Sequence, residues 1–473
     1  MSANPKQYAA KRDLTSGSLS WNLFRLAAPL VAGSLLQALY SLVDVFWLGR
    51  WSGNAQAAPG VCMPFIFVVI AFAMGFGTGG TAIVAQHTGA GNHRRADQAA
   101  AQTMLLLCAM ATVLAAALIV PAPHLLRWVR VPDAMLPKAE IYLRIFMLGL
   151  PFVAFNIGYG SVLRALGDTV TVVVITALGN VLNAVLDPIL IFGLGGAPRL
   201  GVGGAALASL IAQFAAGVAC YACLRRGRAG LRIRLPDLRP DWPLLWKTFS
   251  VGFPVALGNS SNALGFTVFQ VMINSLGITV IRAFTIGFRV IHVFNVLPRA
   301  MSMAAAPVVG QALGAGDVPL ARRAVWKSAA FVAVVAFLPV VFLVWKGQLV
   351  ARAFAPGDDV IAETGRFFMI VPASSYFFGV LMVLMAAFYG SGHTRAALLL
   401  WIVRLWFLRL PASYLLGFVL GWGSLGVYAG MVFGNIVSSA IALWLFLRGG
   451  WESAVVAHGD DQRGAPEEGN GQQ

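Results

Sequence analysis

The sequence predicts an all-α membrane protein of twelve transmembrane helices in two six-helix lobes, and three observations predict it. Of the 473 residues, 59% are hydrophobic and only 11% are charged, less than half the charge of an ordinary soluble domain. Twelve apolar stretches follow one another along the chain, each long enough for the roughly 20 residues that a membrane helix requires. The second half also repeats the first at a shift of 225 residues. Pro29 matches Pro254, and Gln86-His-Thr-Gly-Ala-Gly91 matches Gln311-Ala-Leu-Gly-Ala-Gly316. Gly167-Asp-Thr169 matches Gly392-His-Thr394, and Leu200-Gly-Val202 matches Leu425-Gly-Val427. Six helices return the chain to the side it started from. Both halves therefore enter from the same face, as a parallel repeat about an axis along the membrane normal.

The N-terminal tail, residues 1–20, is polar and basic (Lys6, Lys11, Arg12). It shows no short cleavable leader pattern and reads as remaining in the cytoplasm. The first lobe, 21–224, holds helices at 24–48, 60–86, 98–120, 139–162, 170–193 and 202–223. Helix one contains Pro29, which deletes one internal hydrogen bond and lets the helix bend. Helix two contains Gly75-Phe-Gly-Thr-Gly-Gly80. Its letters match a dinucleotide fingerprint, but it lies inside a span with no preceding strand, so its small residues serve tight helix crossing instead. Helix three, entered after Arg94-Arg95, rests on its apolar length. Helix four carries Tyr142 and Asn156, helix five Asn180, Asn183 and Asp187, and helix six Ser209. Cys220 and Cys223 close helix six. With no second pair and no nearby His, they read as small apolar residues rather than a redox or metal site.

A basic linker, 225–247, follows; residues 224–242 alone hold six Arg, which places the linker on the cytoplasmic side. The second lobe, 248–449, holds helices at 248–275, 279–310, 326–345, 366–389, 397–419 and 425–447. Helix seven carries Pro254 and no acid. Helix eight carries Arg289 and His292 on one face, where snorkelling to water or bonding to backbone carbonyls accounts for them. The tail, 450–473, is polar and Gly-rich and reads as disordered. An even helix count puts both termini in the cytoplasm. In this topology 20 of the 34 Lys and Arg are cytoplasmic, 10 lie on the outer side, and four (Arg289, Arg299, Arg404, Arg409) fall within helices. The net charge of +16 thus follows membrane topology. No basic stripe interleaved with aromatics points to nucleic acid.

Two of the 18 acidic residues, Asp44 and Asp187, lie inside long apolar stretches with no Arg or Lys in their own spans. A carboxyl group at a membrane helix centre costs about 2.5–3.5 kcal/mol or more, so it marks an ion or proton site. Gln37, Tyr40 and Asp44 stand at i, i+3 and i+7 on helix one, and Asn180, Asn183 and Asp187 repeat that spacing on helix five. Each set lies on one helical face. Two polar faces that each end in a carboxylate describe a buried cavity between helices, with Ser209, Asn156 and Tyr142 as further members. Two carboxylates sharing a dry cavity resist being ionised together, so the pair holds a proton or a cation. The carboxylate, amide and hydroxyl oxygens suit a hard cation such as Na⁺ as well as a proton relay. At the repeat shift Asp44 falls on Phe269 and Asp187 on Ala412. The fold is duplicated but the acids are not, so the ion chemistry belongs to the first lobe. No nucleophile arrangement, phosphate-binding loop or zinc-type cluster can be drawn. The chain reads as neither an enzyme nor an ATP-driven pump, and needs no cofactor.

These residues resemble the multidrug and toxic compound extrusion (MATE) transporters over about residues 20–448. The resemblance rests on Ala28-Pro29, Asp44-Val-Phe-Trp-Leu-Gly49, both Gln-x-x-Gly-Ala-Gly segments, Asn183 with Asp187, and Gly287-Phe-Arg289. It implies two lobes around a central cleft. It also implies export of amphipathic, often cationic small molecules across the cell (inner) membrane, by antiport with H⁺ or Na⁺. By matching position, Gln37, Tyr40, Asp44, Tyr142, Asn183 and Asp187 form the first-lobe site, with Pro29 at the bend of helix one. A bound Na⁺ would be held by Asp44, Asn183, Asp187 and Ser209. Ser209 stands where the family often has Thr, and helix seven lacks the Glu of another branch. A single copy in the bilayer is expected to suffice. The alternative reading is a flippase for lipid-linked precursors of a related twelve-helix type, which the four Arg within spans weaken.

Overall fold

The computed structural model describes residues 13–456 except 52–56, 130, 134 and 356; within them, the side chains at 39–46, 48–49, 51, 57–58 and 235 are outside the description. The described residues are helical, with no strand among them. The first six long helices are α1 (Leu19–Trp51), α2 (Ala57–Gly89), α3 (His93–Ile119), α4 (Leu136–Ala165), α5 (Thr169–Phe192) and α6 (Val202–Arg225). The second six are α7 (Trp242–Ser275), α8 (Ile278–Gly314), α9 (Val318–Phe354), α10 (Asp358–Ser391), α11 (Thr394–Val419) and α12 (Gly423–Arg448). A short helix, Ala122–Trp128, joins α3 to α4.

Among the described residues, 11 segments are long and apolar enough to cross a membrane. The remaining long helix, α7, is continuous over 34 residues, but its apolar run is broken at the centre by the polar Asn259-Ser-Ser-Asn262. Helices are the form to expect, because lipid offers no partner to a backbone N–H or C=O. Their starts at the linker end are fixed by short polar caps. Asn92, Asp168, Asp241 and Asp317 accept from the backbone N–H three residues on, at 3.1, 3.0, 3.2 and 2.8 Å. Asn92 and Asp317 are repeat partners.

Three features depart from twelve plain spans. α8 breaks at Asn295 into Ile278–Phe294 and Val296–Gly314. α11 is wound in π turns over Val403–Arg409 and Leu415–Val419. The stretch after α12, read from sequence as disordered, is packed as far as Val456. Trp451 is fully buried and stacks on Phe446 with ring centroids 5.1 Å apart. The rest of that tail, 457–473, lies outside the described residues, as do tail residues 1–12.

The lobes meet near the linker. α2 crosses α7 where glycine faces backbone: a Cβ on Gly79 would stand 2.7 Å from the Gly252 nitrogen. Phe76 stacks on Phe249 beside that crossing, at 5.2 Å. The repeated Gln-x-x-Gly-Ala-Gly segments clasp one another across the same end. Gln86 Nε2 donates to the carbonyls of Gly390 and Ser391 at 3.0 and 2.9 Å. Gln311 Nε2 donates to the Ala165 carbonyl at 2.8 Å. Ala165 and Gly390 are themselves 225 residues apart, so each lobe grips the same point of the other. Gly89 presses on the Gln311 carbonyl and Gly314 on that of Gln86, where an added Cβ would stand 1.9 and 2.0 Å away. The chain ends reinforce the clasp: Leu14 N–H donates to Gln311 Oε1 and Val456 N–H to Gln86 Oε1, at 2.9 and 3.1 Å. The linker is strapped down by Asp237, ion-paired to Arg94 at 2.7 Å, and by Gln102, which donates to the Asp237 and Arg239 carbonyls.

Candidate functional site

α5 positions the polar residues of the first lobe. Asp168 caps its start, accepting from both the N–H and the hydroxyl of Thr171 and pairing with Arg228 at 3.4 Å. Burial pushes this carboxyl up, but the bonds from Thr171 and Arg228 outweigh it and hold the group below its usual range. From that fixed start, Asn183 and Asp187 fall one turn apart on the inward face; Asn183 is 2% exposed and Asp187 fully buried. Asn183 Nδ2 donates to Ser209 Oγ of α6 at 3.2 Å. One turn nearer the linker, Asn180 Nδ2 donates to Gln37 Oε1 of α1, also at 3.2 Å. The sequence-predicted set on α5 thus reaches two neighbouring helices. Pro188, inside α5 directly after Asp187, lacks the N–H that would bond the Ala184 carbonyl.

A cavity of about 70 Å³ opens beside this face. Gln37, Asn156, Tyr159, Asn180 and Gln213 line it. Asn156 Nδ2 donates to Gln213 Oε1 and to its carbonyl, at 3.0 and 3.1 Å. Asn156 Oδ1 and the Tyr159 hydroxyl are buried there with no protein partner. A cavity this polar and roomy suits ordered water or a polar ligand group.

Gln37, Asn156 and Asn180 are therefore brought together at one cavity, and Asn183 is brought to Ser209. Tyr142 does not line this cavity; it is 4% exposed and stacked on Phe146 at 5.8 Å, in the apolar core that holds Ile191 and Val202. The side chains of Tyr40 and Asp44 lie outside the described residues; the α1 backbone is helical through both. Pro29 lies inside α1. Sequence reasoning missed Tyr159 and Gln213. Their signal was spacing: Tyr159 follows Asn156 by three residues on α4, and Gln213 follows Ser209 by four on α6. In the second lobe Arg289 and His292 are exposed. The four cysteines are free thiols, and no cluster of metal-ligating side chains occurs among the described residues.

A family model described as MatE matches residues 29–189 and again 254–415, an offset equal to the internal repeat. A probable multidrug resistance protein NorM of Thermotoga maritima is 26% identical over 457 residues, covering 95% of this chain and 97% of that one. An FAD transporter of Shewanella oneidensis is 26% identical, covering 87% and 91%. A crystal structure of MATE in the bent conformation matches with a TM-score of 0.86 at 25% identity, covering 94% of this chain and 98% of that one.

Proposed function

This chain belongs to the MatE family, and on that premise we propose that it is a multidrug efflux transporter driven by entry of H⁺ or Na⁺ through its first lobe. The observation that carries the reading is Asp187, fully buried at membrane depth one turn after Asn183, which bonds the Ser209 hydroxyl. A charge there is costly unless a proton or cation neutralises it. Occupancy of that carboxylate is therefore coupled to the packing of α1, α5 and α6. Asp44 and Tyr40 on α1 are assigned to the same site by their spacing from Gln37, which bonds Asn180.

The clasped end, with its basic linker, is assigned to the cytoplasm by the positive-inside rule. The cleft then faces outward while Gln86 and Gln311 hold their partners. Cation uptake from outside neutralises the first-lobe acids, α1 rearranges about Pro29, and substrate leaves. Return to the inward-facing state breaks the clasp, releases the ion and admits substrate from the cytoplasm. The oxygens of Asp187, Asn183 and Ser209 suit either ion. The substrates are flat amphipathic molecules, a description that covers both the drugs and the FAD for which relatives are named.

Purified protein in vesicles, with pH and Na⁺ gradients imposed separately, tests the reading. Efflux of amphipathic dyes is expected to follow one of the two gradients and to fail with Asp187→Asn. Full gradient-driven efflux by that variant would remove Asp187 from the mechanism.

A further inference from the structure

Two guanidinium groups stand buried inside the second lobe, and no acid among the described residues is paired with either. Arg404 is 3% exposed and Arg409 is 5% exposed. Both lie in the first π-wound stretch of α11, Val403–Arg409. Regular α winding would set residues five apart about 140° from each other around the helix. Turns closed i→i+5 bring them onto nearly the same face. The departure from α geometry thus gathers the two cations.

Their surroundings are polar but neutral. Arg404 Nη1 donates to Asn435 Oδ1 of α12 at 3.0 Å, and its Nη2 donates to Asn262 Oδ1 of α7. Asn435 is fixed in turn by Ser374 of α10, whose Oγ and carbonyl accept from its Nδ2 at 2.8 and 3.0 Å. Arg404 Cζ lies 4.7 Å from the Trp401 ring centre, and Arg409 Cζ lies 4.0 Å from that of Phe269. α7 reaches α11 closely because it presents glycine at the contact: a Cβ on Gly265 would stand 2.3 Å from the Leu405 side chain. Ring faces and amides orient the guanidiniums but carry no negative charge. Arg404 Nε, Arg409 Nε and Arg409 Nη2 are buried without any hydrogen bond. Among the described residues, no ion pair includes either arginine. The buried acid Glu363 is engaged elsewhere, by Tyr428 and Arg366. Two like charges, desolvated and short of acceptors, call for an anion.

The repeat sharpens this. Shifted back by 225, Arg404 falls on Gly179 and Arg409 on Ala184, flanking Asn180 and Asn183 on α5. The two lobes therefore present opposite charge at equivalent depth, acidic in the first and basic in the second. We propose that Arg404 and Arg409 form an anion site that receives the carboxylate of a zwitterionic amphipathic substrate whose cationic end faces the first lobe. The planar fork of arginine suits a carboxylate, which accepts two parallel N–H bonds. The proposal rests on the efflux reading above and adds a substrate class to it. A lipid phosphate shares the same chemistry, so the test separates the two.

Vesicles containing wild type, Arg404→Gln, Arg409→Gln or Arg404→Lys are loaded with a rhodamine methyl ester, a cation, or with its free acid, the zwitterion on the same ring system. Each Gln variant is expected to lower the acid-to-ester efflux ratio at least tenfold, and Arg404→Lys less. An unchanged ratio in both Gln variants overturns the site. A second arm uses wild-type protein in neutral-lipid nanodiscs, so it does not depend on a variant folding. Benzoate, but not benzamide, is expected to change tryptophan fluorescence saturably, and Trp401→Phe is expected to remove most of the change. No response to benzoate, or a response only to anionic phospholipid, overturns the proposal. If wild type moves neither dye under either gradient, the efflux reading falls, while the nanodisc arm still judges the anion site.

Discussion

In the proposed mechanism Asp187 is the titrating group of the first lobe, because it is fully buried where a bare charge is costly. Replacing it with Asn keeps the shape and a hydrogen-bonding oxygen but removes the titrating group. Gradient-driven efflux in vesicles is expected to fall at least tenfold, about 1.4 kcal/mol or more of lost coupling, while downhill substrate exchange continues. Asn183→Ala is expected to cost about 1–3 kcal/mol, since it strips the bond that reaches the Ser209 hydroxyl in a buried site; the thermal midpoint in detergent reads this. A second titrating residue lies at the clasp. His393 is half-buried, with Nδ1 3.2 Å from Ser391 Oγ and Nε2 3.4 Å from Ser453 Oγ. Burial pushes its imidazole below the usual value of 6.5, against an opposing hydrogen bond at Ser391. The unfolded chain therefore takes up a proton below about pH 6.5 that the folded chain resists. Stability is expected to fall as pH drops through that point, and to level off once the folded group titrates. His393→Asn should flatten a plot of thermal midpoint against pH over this range; an unchanged slope would assign the effect elsewhere. At this scale much of the site was legible. Asn180, Asn183 and Asp187 announce one helical face, and the structure puts Asn183 and Asp187 in the interior and Asn180 at the cavity. Tyr159 and Gln213 were less so: each stands one turn from a polar residue, Asn156 and Ser209, but a single pair at that spacing in an apolar run is too short a pattern to fix which way it points. Tyr142 does not line the cavity: it is 4% exposed in the apolar core and stacked on Phe146, and a lone phenol on an apolar helix gives no sequence signal of which neighbour it meets.

Among the elements, the repeated Gln-x-x-Gly-Ala-Gly segment carries more than helix packing. The sequence showed that it occurs twice. It did not show that each copy bonds the other lobe, because reciprocal contacts between segments 225 residues apart leave no local pattern. Gln86 satisfies two carbonyls at the end of α10, which otherwise have no helical partner. Gln86→Leu preserves bulk and removes both bonds, so it is expected to weaken closure of the linker end by about 1–3 kcal/mol. Gln311→Leu is expected to do the same through Ala165. The measurement is accessibility of a thiol placed at Ala85, fully buried against Gly310 of the other lobe, to a membrane-impermeant reagent; labelling no faster than in the parent protein would remove the glutamine bonds from gating. Likewise, the Pro and Asn content of the chain did not reveal that α8 breaks at Asn295 or that α11 is π-wound. Both depend on packing partners. The inward gathering of Arg404 and Arg409 followed only from the second.

For the whole molecule, alternating access requires the two lobes to exchange one closed end for another. The clasp gives that exchange a threshold. Moving an equilibrium from 1:99 to 99:1 takes about 5.5 kcal/mol, and two glutamine bridges of about 1–3 kcal/mol each are of that order. The bridges are related by the repeat, so separation of the lobes strains both at once, and partial opening gains little. The glycines allow the bridges to form: Gly89 and Gly314 let each segment's backbone touch the other's glutamine carbonyl. Gly89→Leu would place carbon where that carbonyl stands, and no rotamer avoids the backbone contact. The lobes are then expected to rest apart at the linker end. Spin labels at Ala90 and Ala315, both exposed, should report one short distance in the parent protein and a longer, broader distribution in Gly89→Leu. Gly314→Leu should reproduce that distribution, because the repeat makes the two sites equivalent. If only one of the pair opens the end, the lobes do not move as symmetric bodies, and the coupling of ion occupancy in the first lobe to closure must run through that lobe alone.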